Sequence, residues 1–245
     1  MTVRTRSRWQ VALYVPNLLC YARILLAFLG QHYAGREQPG PAIRTWILSA
    51  TLDLFDGPAA RFLQQTSQFG VLMDIVADNV LRTTVWMAVA NVSSASIVLQ
   101  HIALSIVCLE WVTLVITQLH AAQKDGKHWK EARRNDPWFV RVFFANNFRN
   151  PLGTWGVAGL FCANLFLYGM HYEEVHSTIP RFRLLLYTAC AGRVLSMMVE
   201  LRLCCDYLLY VLDEDCRAPE PNDSVLGMYE CVPLRQFEAS FLCSS

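Results

Sequence analysis

Charge is scarce in this sequence. Asp, Glu, Lys and Arg make up 17% of its residues, where soluble domains carry about a quarter, so the deficit points toward lipid. An excess of either sign is missing too. The formal net charge is +1 over 245 residues, which argues against a nucleic-acid binder. Paired cysteine motifs are absent: the nine cysteines include no CxxC spacing and no Cys/His cluster, which argues against a zinc site. Cys20, Cys108, Cys162, Cys190, Cys204 and Cys205 fall in apolar runs, where thiols behave as small hydrophobes. Cys204 and Cys205, beside a predicted membrane boundary, invite either acylation or plain packing. The basic opening MTVRTRSRWQ is not followed by a small-residue cleavage site, so it is expected to be retained. No internal repeat is visible, and one membrane domain is expected.

What the chain does have is length in its apolar runs. A hydrocarbon core about 30 Å thick needs roughly 20 helical residues. Six windows meet that need, at about 15–33, 42–63, 69–90, 97–119, 152–170 and 184–212. The expected fold is therefore an all-α membrane protein, a bundle of six transmembrane helices. Arg4, Arg6 and Arg8 precede the first window, and Lys124, Lys127, Lys130, Arg133, Arg134 and Arg141 lie between the fourth and fifth. With six spans these segments share one side, which the positive-inside rule makes cytosolic. Arg36, Arg181 and Arg183 fall on the opposite side against that rule. The expected organisation is a basic cytosolic segment at 1–14, a membrane catalytic domain at 15–212, and an acidic, disordered cytosolic tail at 213–245.

Residues 52–78, LDLFDGPAARFLQQTSQFGVLMDIVAD, place four aspartates and an arginine inside this apolar sequence. Ionised acids within a span are costly and mark function by default. The spacing of Asp53, Asp56, Gly57 and Ala60 puts them on one helix face, and Gly70, Asp74 and Asp78, four apart, align on the next helix. The short FLQQTSQ between them forces an antiparallel hairpin, so two aspartate pairs face each other. Four carboxylates together repel unless protonated or neutralised. Hard oxygen donors in that number suit Mg2+ or Mn2+, and a two-metal arrangement clamps both sides of a phosphoryl displacement. Gly57 gives a substrate access to the helix backbone. Pro58 strips the Leu54 carbonyl of its donor and is expected to kink the helix. Arg61, two turns beyond Asp53, offers a bidentate grip on phosphate. A purely structural salt-bridge network is disfavoured, because Arg61 alone among nearby cations cannot balance four acids.

Asp53-x-x-Asp56-Gly57-x-x-Ala60-Arg61, eight residues, then Gly70-x-x-x-Asp74-x-x-x-Asp78 resembles the complete signature of the CDP-alcohol phosphatidyltransferases. The resemblance implies the six-helix bundle of that family and a divalent-metal-dependent transfer that releases CMP. It implies Asp53, Asp56 and Asp74 as metal ligands and Asp78 as both ligand and catalytic general base. It also implies that Gly57, Arg61 and Ser67 hold the CDP moiety. A base must reach the hydroxyl it activates, and the last acid is the one most nearly free of metal duty.

The run YVPNLLCYARILLAF before the signature resembles the inositol-using branch of the family, the phosphatidylinositol synthases. That likeness implies CDP-diacylglycerol as donor and a small polyol, myo-inositol, as acceptor, with endoplasmic reticulum residence and both termini cytosolic. Asn17 and Arg23 then line the cavity, or else Asn17 caps the first helix while Arg23 snorkels. Two departures touch the acceptor. CLEWVTLVITQLH carries Glu110 but not the Asp and Ser-His of that branch, and Asn79 stands where its members often have Arg. Glu110 demands a partner or a polar cavity and is a candidate for acceptor binding. Arg193 and Glu200, seven apart, share a face and are expected to form an intramembrane polar network. Arg133 and Arg134 meet either donor phosphate or anionic headgroups. The alternatives are the same chemistry with glycerol 3-phosphate, choline or ethanolamine phosphotransfer to diacylglycerol, a non-catalytic CDP-lipid-binding regulator, or an ion transporter. Membrane lipid surrounds the bundle in each case, and a homodimer is compatible with its size.

Overall fold

The computed structural model describes residues 7–92, 94–123, 137–146 and 148–217. Among these, the chain is all-helical. The helices are α1 (Arg8–Ala12), α2 (Val15–Ala34), α3 (Pro39–Phe62), α4 (Gln68–Asn91), α5 (Ile97–Gln123), α6 (Trp138–Phe144), α7 (Pro151–Met170), α8 (Glu173–His176) and α9 (Phe182–Arg217). Each of the six apolar windows coincides with one long helix, and α1, α6 and α8 are short additions that periodicity did not signal. The chain divides into two compact units, Met1–Cys205 and Asp206–Ser245. α9 runs past Leu212 to Arg217. Lys124, Lys127, Lys130, Arg133 and Arg134 and the tail from 218 onward lie outside the described residues.

Helix boundaries follow local chemistry. Prolines occupy the first turn of α2, α3 and α7, where a missing N–H costs nothing. Ser67 caps α4 by accepting from the Gly70 N–H at 3.0 Å, and Asn150 caps α7 by accepting from Gly153 N–H at 2.8 Å. α3 continues unbroken through Pro58. Asn17 is not a cap. The N-cap of α2 is Tyr14, without a side-chain bond, and the Asn17 amide instead donates to the Val11 carbonyl at 2.6 Å.

Among the described residues, three helices are long and apolar enough to cross a membrane, at Ile97–Leu119, Pro151–Met170 and Phe182–Asp213. The acids and arginines of α3 and α4 keep that hairpin below such a cut, so composition alone marks fewer spans than length does. Exposure carries further information. Leu25, Leu104 and Leu184 are 70%, 60% and 58% exposed, while Asn17, Arg23, Glu110, Arg193 and Ser196 are buried. Apolar side chains outward and charged ones inward is the arrangement that a surrounding bilayer makes favourable.

Two close helix crossings set the interior. Trp46 of α3 donates to the Ala27 carbonyl of α2 at 3.1 Å, and its indole lies where a side chain on Gly30 would be, 2.3 Å from a built Cβ. Across the bundle, α7 meets α9 through glycines. A Cβ on Gly159 would lie 2.4 Å from the Arg193 backbone nitrogen, and one on Gly156 would lie 2.9 Å from the Ser196 hydroxyl. Small residues at such a crossing let two backbones approach, which here delivers Arg193 and Ser196 to the interior. Gly159→Ala should therefore force α7 and α9 apart and destabilise the fold by about 1–3 kcal/mol. A lowered midpoint in thermal denaturation of the detergent-solubilised protein checks this.

Candidate active site

Three helices build the acidic centre. On α2 the buried residues Asn17, Cys20, Arg23, Ala27 and Gly30 recur every three or four positions, so one face turns inward. α3 and α4 run antiparallel, joined by a short turn in which Gln64 adopts a left-handed backbone (φ 52°). That hairpin brings Asp53 and Asp56 opposite Asp74 and Asp78, as their spacing predicted.

Arg23 lies at the middle of the four acids. Its Nη1 sits 2.8 Å from Asp53 Oδ1, 2.8 Å from Asp56 Oδ2 and 2.7 Å from Asp74 Oδ1, and its Nη2 pairs with Asp78. The guanidinium does not snorkel; it is wholly buried. Its own carbonyl accepts from Ser49 Oγ at 3.0 Å, fixing the backbone that carries it. The expectation that Arg61 is the one cation near these acids is thus corrected. Arg23, some thirty residues upstream of Asp53, arrives through the packing of α2 on α3.

The acids differ in access. The side chains of Asp53 and Asp74 are 38% and 42% exposed, against 25% for Asp78 and 10% for Asp56. Oxygens of Asp53, Asp74 and Asp78 lie within 4.8 Å of one another, and Cys20, Asp56 and Asp74 form a second such group that shares Asp74. Arg23 engages one oxygen of each carboxylate, which leaves each a second oxygen as donor. Hard oxygen donors of this kind fit Mg2+ or Mn2+; the Cys20 thiol, 3.9 Å from Asp56 Oδ2, is too soft to add to that set.

A cavity of about 200 Å3 opens beside this centre. Asp56, Asp74, Gly57, Arg61, Ser67 and Asn17 all line it, so the structure brings together every residue that the resemblance assigned to the CDP moiety. Gly70 faces Asn17 so closely that a Cβ there would lie 2.8 Å from Asn17 Oδ1. That oxygen is buried without a hydrogen-bond partner, a free acceptor at the cavity wall.

A second cavity, of about 310 Å3, begins at Asp78 and extends between α4, α5 and α9. Glu110, which needed a partner, has two. Its Oε2 accepts from Arg82 Nε at 3.0 Å, and its Oε1 lies 3.2 Å from Arg193 Nη2 as an ion pair without hydrogen-bond alignment. Arg193 also donates to Glu200 Oε2 at 3.0 Å, the pairing that their spacing predicted. Asn79 holds Arg82 from one turn away through its side-chain oxygen and donates to the Glu110 carbonyl at 3.5 Å. Sequence reasoning missed Arg82. Its signal was its place four residues after Asp78, on the acid-bearing face.

Comparison with known proteins agrees with this geometry. Residues 13–172 match the sequence profile of the CDP-alcohol phosphatidyltransferases. The human protein named CDP-diacylglycerol–inositol 3-phosphatidyltransferase is 41% identical over 68 residues, 28% of this chain and 32% of that protein. The fission yeast (Schizosaccharomyces pombe) protein of that name is 25% identical over 137 residues, 56% of each chain. Arabidopsis thaliana CDP-diacylglycerol–inositol 3-phosphatidyltransferase 1 is 25% identical over 140 residues, 57% of this chain and 60% of that one. The matches thus span between a third and three-fifths of these relatives' lengths. No solved structure matches significantly. Since the profile extends from residue 13 to residue 172 and takes in the whole acidic hairpin, the chain belongs to the CDP-alcohol phosphatidyltransferases, a family of enzymes.

Proposed function

We propose that this chain transfers the phosphatidyl group of CDP-diacylglycerol to myo-inositol, giving phosphatidylinositol and CMP. The observation that carries the reading is the convergence of four carboxylates between two cavities, one lined by Gly57, Arg61 and Ser67 and the other opening from Asp78. The names of the relatives support the choice of donor and acceptor. In this reading α2, α3 and α4 also span the bilayer, giving six spans. At 20, 24 and 24 residues and about 1.5 Å per residue they are long enough, and Arg23 and Asp56 turn inward. Residues 15–212 form the catalytic domain, 1–14 and 213–245 face the cytosol, and the membrane is that of the endoplasmic reticulum.

The roles follow from the chemistry of each side chain. Asp53, Asp56, Asp74 and Asp78 would hold Mg2+ or Mn2+, which when bound would supply positive charge against the negative charge of a diphosphate. Arg61 grips a phosphate oxygen pair, Gly57 lets the nucleotide approach the α3 backbone, and Ser67 bounds the cytidine side of the cavity. Asp78 takes the proton of the acceptor hydroxyl. The freed oxygen attacks the phosphorus that bears diacylglycerol, the bond from that phosphorus to the CMP oxygen breaks, and CMP leaves with the electron pair. The new phosphodiester is the lipid product.

CMP release from CDP-diacylglycerol by the purified full chain, dependent on both Mg2+ and added myo-inositol, tests the reading; release with glycerol 3-phosphate but not inositol would falsify the acceptor. Asp78→Asn should lower kcat by at least about a hundredfold, the scale of a lost general base, and should leave the KM for CDP-diacylglycerol nearly unchanged. Turnover equal to the parent would remove Asp78 from that role. Arg23→Gln should cost about 3–5 kcal/mol of stability, since it leaves buried acids without their counter-charge. Saturating Mg2+ should recover more of the variant's lost melting temperature than it adds to the parent. A melting temperature with no greater response to Mg2+ than the parent's would argue against a shared cation at this position.

A further inference from the structure

The cavity beyond Asp78 has a charge pattern with a consequence for which acceptors it admits. Arg82, Glu110 and Glu200 line it, and Arg193, outside that lining, joins the two glutamates, so that Arg82, Glu110, Arg193 and Glu200 form a chain of alternating charges with successive contacts of 3.0, 3.2 and 3.0 Å. Two arginines and two glutamates cancel. Arg82 is further committed to Asn79 and lies 5.1 Å above the Phe161 ring. Arg193 is committed to two carboxylates. The Arg193 Nε and Nη2 lack hydrogen-bond partners, but the charge of each guanidinium is already matched by carboxylate, whereas Asp78, Glu110 and Glu200 all line the space.

Another polar group there lacks a partner. Ser196 is 2% exposed, lines the cavity, and its hydroxyl has no hydrogen-bond partner. A buried hydroxyl in that state costs free energy that a hydroxylated ligand would recover. The opposite wall is apolar, with Phe143, Phe144 and Phe148. Carboxylates to accept hydrogen bonds from hydroxyls, a serine to donate or accept, and an apolar aromatic wall of mutually inclined rings suit a ring with hydroxyls at its rim and C–H bonds on its faces. The volume, about 310 Å3, lies at the small end of the roughly 300–1,000 Å3 usual for ligand pockets.

We infer that this chamber takes an uncharged polyol and that the self-neutralised tetrad of Arg82, Glu110, Arg193 and Glu200 rejects acceptors bearing a phosphate. The inference rests on the transferase reading above and adds to it the residues that set acceptor charge. A phosphorylated acceptor entering here would lose water beside three carboxylates and find each arginine already engaged, and like charges brought together in such a site are strongly repelled.

The test uses the full chain in lipid nanodiscs, with myo-inositol, inositol 1-phosphate and glycerol 3-phosphate as probes. Two readouts are taken: the melting temperature with each acceptor alone, and CMP release with CDP-diacylglycerol and Mg2+. Myo-inositol should raise the melting temperature and exceed both phosphorylated acceptors in kcat/KM by at least about a hundredfold. Glu200→Gln and Glu110→Gln each release an arginine from pairing and should narrow that preference by about tenfold or more. Retained stabilisation by CDP-diacylglycerol shows that each variant is folded. Ser196→Ala should raise the KM for inositol without changing that for the donor. Wild-type protein that uses inositol 1-phosphate or glycerol 3-phosphate as well as inositol would overturn the inference, as would folded Glu110 and Glu200 variants with undiminished preference. Absence of CMP release from every acceptor, with stabilisation by inositol and not by inositol 1-phosphate, would remove the transferase reading and leave the charge filter standing. Neither stabilisation nor release with inositol would remove the filter too.

Discussion

The pairing of Arg23 with four aspartates governs the rest of this molecule. Carboxylates on the facing helices of a tight hairpin repel, and in a low-dielectric interior that repulsion would pry α3 from α4. The guanidinium is suited to oppose it, because its planar fork reaches several acceptors at once and stays charged in such surroundings. Placing it on α2 ties three helices to one point. The depth of the α2 face from Asn17 to Gly30 then follows, since the arginine reaches the acids only if the whole face is buried. Ser49 and Trp46, which bind the α2 carbonyls of Arg23 and Ala27, hold that face in register.

One cation does not balance four acids. One positive and four negative charges leave three negative charges in the cluster. An excess of that size in an apolar bundle is tolerated where something with high positive charge completes the site. The exposure of Asp53 and Asp74 fits this, because those two carboxylates face the opening while Asp56 stays against Arg23 and Cys20. The arginine is therefore a partial counter-charge. It keeps the hairpin closed and leaves a deficit that divalent ions and a bound diphosphate are matched to fill.

Much of this was legible in the residues. While the grouping of Gly57, Arg61 and Ser67 came from the family resemblance, spacing alone put two aspartates on each of two facing helices and joined Arg193 to Glu200. Those are local relations within a helix or across one short turn, where periodicity is decisive. Arg23 was marked by the resemblance and open to a cavity wall or to snorkelling, but its pairing with the acids was not legible, because they lie thirty or more positions away on helices whose rotation no local pattern reports. Glu110 stood out as an acid in need of a partner, while its pairing with Arg82 was hidden for the same reason. The number of spans was obscured differently: the charges that make the site also depress the apolarity by which spans are recognised, so α3 and α4 read as spans by length and not by composition.

α4 separates two spaces with different electrostatic demands. Asp74 lines the first cavity and Asp78 the second, four residues apart, or about 6 Å along the helix. In the proposed reading, net negative charge on the first side draws cations and, through them, phosphates. On the second side the arginines are already ion-paired with glutamates, which in that reading favours a neutral polar molecule. A single helical turn would then divide a region for an anion from a region that repels one. The Gly159 crossing of α7 and α9 maintains that division, since it sets the depth at which Arg193 reaches Glu110. Were Arg193 withdrawn by a wider crossing, Glu110 and Glu200 would lose a shared partner and the neutral side would become acidic. The separation of charge between the two cavities is therefore held, at its far end, by the absence of side chains at Gly156 and Gly159.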